Sequence, residues 1–368
     1  MAAANWSPTS PIVFTLHCTA DRMDHEIELR SDNAAGAAPE IMAAIAAANT
    51  GSALAYGADE WTARLRDTVR AVFDHPDAEV FPVISGTAAN SLALAAMCPP
   101  WGAVMCHDTA HILVNECGAT SMFGGGAMIH GVAGAQYRVD PASLEQAFES
   151  TRWGDPHHSQ PTVLSLTQPT DYGSIYSAAQ IAELTALAAG RGLTAHIDGA
   201  RIANALAALG CSPADLTWRM GIDALSLGAM KNGALSTDAI VSFDPAISQQ
   251  LVYRTKRSGH TASKMRFQSA QLIAYLTDDL WLRLAGRSNE AMARLATGLS
   301  KLGVEQLNEP DVNMLFLRVD PSVADHMVDS GLLFYRIAAD VVRLVTSFQT
   351  TDDEVDIALQ RIESALDV

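Results

Sequence analysis

Along residues 78–243 the chain keeps switching its hydrophobic period: a short apolar run, a turn of small residues, then apolar positions at helical spacing. The strand-like runs are Ala78 to Ile84, Ala103 to Cys106, Thr162 to Leu166, Leu193 to Ile197, Ala224 to Leu227 and Ala239 to Phe243. Helical stretches at 86–98, 177–189 and 201–209 fall between them. Apolar runs of this kind need cover on both faces. Strand-helix alternation therefore predicts an α/β fold with a mostly parallel sheet between helices.

Further helices are expected at 39–49 and at 59–73, the latter capped by Asp59. In the final third, Ala270 to Leu302 reads as helix, Val312 to Val319 and Val341 to Val345 as strands, and Asp352 to Leu366 as an amphipathic helix. This predicts an N-terminal arm over 1–30, a large α/β domain over 31–260 and a small α+β C-terminal domain over 261–368. Gly124-Gly125-Gly126 marks a tight or mobile loop.

With 24 basic against 41 acidic residues the formal charge is −17, which repels phosphate backbones, so nucleic acid and anionic membrane are not expected partners. An anionic ligand must instead be held by a few local cations and backbone N–H groups. The five cysteines (Cys18, Cys98, Cys106, Cys117, Cys211) are odd in number and never in C-x-x-C spacing. That pattern fits reduced thiols in a cytoplasmic protein rather than a disulfide framework or a zinc site. Neither a secretory leader nor an eighteen-residue apolar span is visible in the sequence.

In open α/β sheets ligands gather at the carboxyl ends of the strands. The residues expected there are Ser85-Gly86-Thr87, His107 and His111, Thr167-Gln168, Asp198-Gly199-Ala200-Arg201, and Gly228 to Gly233 around Lys231. A Ser-Gly-Thr turn opening a helix binds anions through free N–H groups, although an ordinary helix cap has the same appearance. Asp198 ends an apolar strand, where an ionised carboxylate needs a cationic partner: Arg201, or the protonated ring nitrogen of a cofactor. Its plainer reading is a helix cap. Lys231, among small neighbours, suits imine chemistry, with a snorkelling surface lysine as the alternative. Taken in order, anion turn, histidine, strand-end aspartate and lysine match the needs of a pyridoxal phosphate enzyme of the aspartate-aminotransferase fold type.

The chain resembles the L-threonine aldolase family, within the β-eliminating lyase group, which includes low-specificity and phenylserine aldolases. The matching pieces are Leu29-Arg30-Ser31-Asp32, Tyr56-Gly57-Ala58-Asp59, Ser85 to Asn90, Ala110-His111 with Glu116, and His196 to Arg201. Lys231-Asn232-Gly233, Asn313 to Phe316 and Val342 to Thr346 complete the set. The resemblance implies fold type I, with a seven-stranded sheet in the large domain. It also implies reversible retro-aldol cleavage of L-threonine, L-allo-threonine and, as a further candidate, L-phenylserine, to glycine and an aldehyde.

By the same resemblance Lys231 carries the pyridoxal 5'-phosphate imine, Asp198 holds the ring nitrogen protonated and His111 stacks on the ring. Ser85, Gly86 and Thr87 take the phosphate, with Gln168 and Arg266 as further cofactor contacts. Ser31, Tyr56, Arg201 and Arg343 serve the substrate, the two arginines clamping its carboxylate. A homodimer or homotetramer with sites at the subunit interface is implied, Tyr56 and Arg266 marking segments lent across it. Two positions depart from many relatives: Thr170 stands near an expected histidine, and Met230-Lys231-Asn232 replaces a Ser-Lys-Gly run. His111 is then the first choice for the β-hydroxyl base and His107 a lesser one. The His157-His158 pair reads as a loop, and no metal is expected. The same residues also serve β-elimination or transamination, and a non-catalytic binding module is the rival from another class.

Overall fold

The computed structural model describes residues 26–367; the expected arm up to residue 25, with Cys18, lies outside them. The described residues divide into two compact units, Gly36–Gly286 and a smaller one made of residues 26–35 together with residues 287–367.

The larger unit is built on seven strands: β1 (Glu79–Val83), β2 (Gly102–His107), β3 (Met128–Val132), β4 (Gln160–Thr167), β5 (Thr194–Gly199), β6 (Ala224–Leu227) and β7 (Asp238–Ser242). Their order across the sheet is β1-β7-β6-β5-β4-β2-β3. Neighbours are parallel except around β7, which is antiparallel to both β1 and β6. β2, β6 and β7 are buried along their whole length, as strands covered on both faces must be. Strand β3 was not anticipated: it is an edge strand, and Met128-Ile129-His130-Gly131 is largely open to solvent, so no continuous apolar run announces it.

Helix Glu60–Val72 is capped by Asp59, which accepts from the Thr62 N–H. The expected long helix near 270–302 is two helices, Arg266–Leu276 and Leu280–Lys301, separated by Thr277–Asp279, where Asp278 and Asp279 have left-handed φ of 51° and 54°. Helix Arg266–Leu276 packs on Pro39–Ala48 and Glu60–Val72. That packing keeps it with the larger unit, so the units part at 35/36 and 286/287 rather than at 30/31 and 260/261.

In the smaller unit Tyr335–Ala338, Val341–Val345, Met314–Arg318 and Glu305–Gln306 form an antiparallel sheet in that order, and Ile27–Glu28 pairs in parallel with Leu332–Leu333. Leu295, Leu299, Leu315, Leu317, Leu344 and Ile362 form its fully buried core. Emptying one such leucine position to alanine costs about 2–5 kcal/mol.

Candidate active site

All the strands parallel to one another end on one edge of the sheet, so the turns after β1, β2, β4, β5 and β6 share it. β7 runs the other way and brings its first residue, Asp238, to the same edge. Topology thus gathers residues 85–87, 111, 168–171, 198–201, 228–232 and 238.

Asp198, 3% exposed, lies at the end of β5. Its Oδ1 accepts the Ala200 N–H at 3.1 Å and its Oδ2 accepts Asn90 Nδ2 at 2.9 Å. Both donors are neutral, so the carboxylate retains charge that a cation can still satisfy.

The Lys231 loop is fastened on both sides. Asp238 Oδ1 accepts the Ala229 and Met230 N–H groups at 2.7 and 3.0 Å. Asn232 Nδ2 donates to Tyr275 Oη at 3.0 Å and to the Trp281 carbonyl at 2.8 Å, and Tyr275 Oη donates to the Gly228 carbonyl at 3.1 Å. Gly228 is required by close approach, since a Cβ there would stand 2.2 Å from the Ala200 carbonyl oxygen. The departure at Met230-Lys231-Asn232 therefore has a structural reason: Asn232 anchors the loop. Lys231 is half-buried, and its amine acts on the Asp171 and Asp238 carboxylates.

His111 opens the short helix His111–Val114, and its Nδ1 lies 2.9 Å from Glu116 Oε1. Burial lowers the imidazole pKa, but the hydrogen bond to Glu116 and the carboxylates of Asp171, Asp198 and Glu116 outweigh it, leaving the group above its ordinary value. His107 moves the opposite way through burial, and its Nδ1 accepts the Thr109 N–H at 3.2 Å.

Gln168 is fully buried and spends its amide on the Tyr176 backbone, donating to the carbonyl at 2.8 Å and accepting the N–H at 2.9 Å. Thr170 Oγ1 lies 2.8 Å from Ser174 Oγ and accepts the Ser174 N–H at 3.2 Å, so its hydroxyl closes the turn. This tight turn presents Asp171, whose Oδ2 is buried without a hydrogen-bond partner. Desolvation raises the Asp171 pKa; His111, Lys231 and Arg201 pull it down, while Asp198 pushes it up. Neither Asp171 nor Asp238 is singled out in the sequence by a helix cap or a motif.

At the head of helix Gly86–Met97, Ser85 Oγ accepts the Ala88 N–H at 3.3 Å. The first-turn N–H groups of Gly86 and Thr87 have no acceptor within the helix. Arg201 is half-buried at the N-cap of Ile202–Leu209. Tyr56 is 57% exposed at a left-handed φ of 58°, with Lys256 Nζ 4.0 Å from its ring centroid. Arg266 Nη1 donates to the Thr50 and Gly51 carbonyls at 3.3 Å. Ser31 and Arg343 belong to the smaller unit, where Ser31 Oγ accepts the Asn33 N–H and Arg343 Nη2 donates to the Arg30 carbonyl. His158 pairs with Asp155 in a loop, and among the described residues no group of three His, Cys, Asp or Glu is placed to hold a metal.

Chemically, the sheet edge offers an anion-binding helix start, a buried carboxylate held by neutral donors, a fastened lysine and a histidine backed by a carboxylate. An aromatic aldehyde bearing a phosphate matches each of these in turn.

Comparison with known proteins agrees. Residues 28–322 match the model of the family described as beta-eliminating lyase. A low specificity L-threonine aldolase from Pseudomonas sp. (strain NCIMB 10558) is 37% identical over 334 residues, covering 90% of this chain and 96% of that protein. One from Pseudomonas aeruginosa is 38% identical over the same length, with the same coverage. Among solved structures, a threonine aldolase from Leishmania major superposes with a TM-score of 0.85 at 23% identity, covering 91% of this chain and 98% of that one. The likeness fixes the fold as type I of the pyridoxal phosphate enzymes. Among the described residues no helix is long and apolar enough to cross a membrane.

Proposed function

This chain belongs to the β-eliminating lyase family, and from that premise we propose that it is an aldehyde-lyase cleaving L-β-hydroxy-α-amino acids, L-threonine and L-allo-threonine first, to glycine and an aldehyde. The observation that carries this reading is the 37–38% identity, over nine-tenths of the chain, to two proteins named low specificity L-threonine aldolase. L-Phenylserine is a further substrate of the same class.

Pyridoxal 5'-phosphate, the cofactor of this family, supplies the electron sink that makes a Cα–Cβ bond breakable. The residues present fit it: the buried Asp198 carboxylate is held by neutral donors, and Asp171 Oδ2, Glu116 Oε2 and Asn90 Oδ1 are buried polar atoms with unspent hydrogen-bonding capacity. In our reading Lys231 supplies the amine that holds the cofactor, and Asp198 keeps a proton on the ring nitrogen. Ser85, Gly86 and Thr87 take the phosphate on the helix N-terminus, and His111 covers the ring. Gln168 acts from below, by closing the turn that carries Asp171.

By the family resemblance Arg201 and Arg343 are assigned to the substrate carboxylate, and Ser31 and Tyr56 to the substrate. Clamping the carboxylate decides which Cα bond stands in the reactive orientation. His111, with a pKa set by its carboxylate neighbours, accepts the β-hydroxyl proton as the aldehyde leaves. We further propose a cytoplasmic homodimer or homotetramer whose subunits exchange the Tyr56 and Arg266 segments.

Incubating the purified chain and cofactor with L-threonine, L-allo-threonine and L-phenylserine tests the reading. Glycine with acetaldehyde or benzaldehyde is the expected outcome. A 2-oxo acid that keeps all the substrate's carbons, in place of glycine, would move the assignment to elimination, if the β-hydroxyl is lost and ammonia released, or to transamination, if the β-hydroxyl is kept.

A further inference from the structure

Behind His111 lie two hydrogen-bonded residues, Asn90 and Glu116, that the proposed reaction leaves without a role. Asn90, in the second turn of helix Gly86–Met97, is 2% exposed, and its Nδ2 donates at 2.9 Å both to Glu116 Oε1 and to Asp198 Oδ2. An amide nitrogen has two hydrogens, and here each has its own carboxylate. The arrangement fixes the amide orientation, because the opposite one would turn the Asn90 oxygen onto two carboxylates. Glu116, 4% exposed, receives a second contact on the same Oε1, from His111 Nδ1 at 2.9 Å. Its other oxygen is buried without a partner.

We propose that Glu116 is a positioning residue for His111: it holds a hydrogen on Nδ1 and so makes Nε2 the nitrogen that takes the β-hydroxyl proton, with Asn90 as the strap that keeps Glu116 in place. A neutral imidazole has one bare nitrogen, and the hydrogen bond made by the other decides which. Glu116 Oε1 already accepts from Asn90, so it meets His111 as an acceptor, and Nδ1 carries the hydrogen. Nε2 is left as the basic nitrogen. The strap also ties this choice to Asp198, since one amide serves both carboxylates and any swing of Glu116 pulls on the residue proposed to hold the ring nitrogen.

Glu116 acts on His111 together with the other groups that face the ring. Asp171, from the turn after β4, and Asp198, from the end of β5, both favour the imidazolium. Glu116 itself faces Asp198, which opposes its ionisation, and Asn90 and His111, which support it. Removing the Glu116 charge therefore leaves Asp171 and Asp198 still acting on His111. The consequence is a lowered imidazole pKa, not a lost base.

This inference rests on the reading of His111 as the base, and the experiment separates the two. The full chain with cofactor, ¹⁵N-labelled at histidine, is titrated by NMR as wild type, Glu116→Gln and His111→Asn, the last assigning the His111 signals; kcat and KM for L-threonine are measured against pH on all three. The wild type is expected to show neutral His111 with its hydrogen on Nδ1. Glu116→Gln is expected to lower the imidazole pKa, to move the acid limb of kcat/KM down by about one pH unit, and to cut kcat about ten- to hundredfold with KM changed less than threefold. A wild-type His111 with its hydrogen on Nε2 overturns the proposal without any variant, as does a Glu116→Gln protein that keeps both the wild-type imidazole pKa and the wild-type acid limb. If His111→Asn retains the wild-type rate and acid limb, the base assignment fails, and the positioning role falls with it.

Discussion

Two polar layers meet on strand β5, one at His196 and one at Asp198 near the strand's end, and they are built on opposite terms. In the lower one His196 is fully buried between two hydroxyls, its Nδ1 2.9 Å from Ser165 Oγ and its Nε2 3.0 Å from Ser226 Oγ. Both ring nitrogens are spent, and burial pushes the imidazole pKa down to about 4. Two residues along the same strand, on the same face, Asp198 opens the upper layer with Asn90, Glu116 and His111. There, buried oxygens of Asn90 and Glu116 remain unpartnered. A closed set stabilises, because each group has traded water for a partner. An open one is held ready for a ligand, and the cost of its unmet polar groups is carried by the rest of the fold. The two histidines differ in burial as well as in partners: His196 is enclosed with both nitrogens bonded, whereas His111 is half-buried and leans on a carboxylate whose other oxygen is unpartnered.

If the upper layer is the reactive one, the largest effect comes from its covalent anchor. Lys231→Ala is expected to lower turnover of L-threonine by more than about 10³-fold while circular dichroism shows the fold unchanged. Activity within tenfold of wild type would break the comparison at once. Asp198→Asn keeps the shape but removes the charge, and a loss of about 10²- to 10³-fold in kcat is expected. A smaller effect should follow from loosening the loop beneath the lysine. Asn232→Ala removes the donors to Tyr275 and Trp281, and the misplaced amine is expected to reduce kcat about ten- to hundredfold.

The lower layer should respond in stability instead. His196→Gln is expected to change kcat less than about threefold, a limit well below the effect of removing a general base. The sign of its pH effect follows from the depressed pKa: the unfolded chain binds a proton below about pH 6.5, the folded chain only below about 4. Wild-type stability attributable to this group is thus complete above pH 6.5 and is lost as the pH falls towards 4, by an amount on the order of 3 kcal/mol. Urea unfolding of wild type and His196→Gln across that window measures the difference. Parallel stability curves would show that His196 is not held neutral.

The two layers were not equally legible. Asp198, Arg201 and Lys231 stand directly after apolar strands, so hydrophobic period alone places them at the ligand-binding edge, and the helix-opening turn at Ser85 follows from the same pattern. Asn90 and Glu116 sit in recognisable runs, but the bonds joining Asn90 to Glu116 and to Asp198 connect distant parts of the chain, and local patterning carries no trace of them. Asp238 reaches the site because β7 runs antiparallel, and strand direction is not written in an apolar run. Asp171 depends on a turn closed by the Thr170 hydroxyl and the Gln168 amide, both of which read in sequence only as polar residues near a strand end. The edge strand Met128–Val132 and the break at Thr277–Asp279 were missed for similar reasons: one lacks a buried face pattern, and the other interrupts a helical period for only three residues.

Borohydride reduction of the cofactor-loaded protein, followed by peptide mass spectrometry, addresses the central claim directly, because reduction fixes an imine where it stands. A phosphopyridoxyl group is expected on Lys231 and is expected to be lost in Lys231→Ala. A label on another lysine, or none on a protein that retains activity, would contradict it.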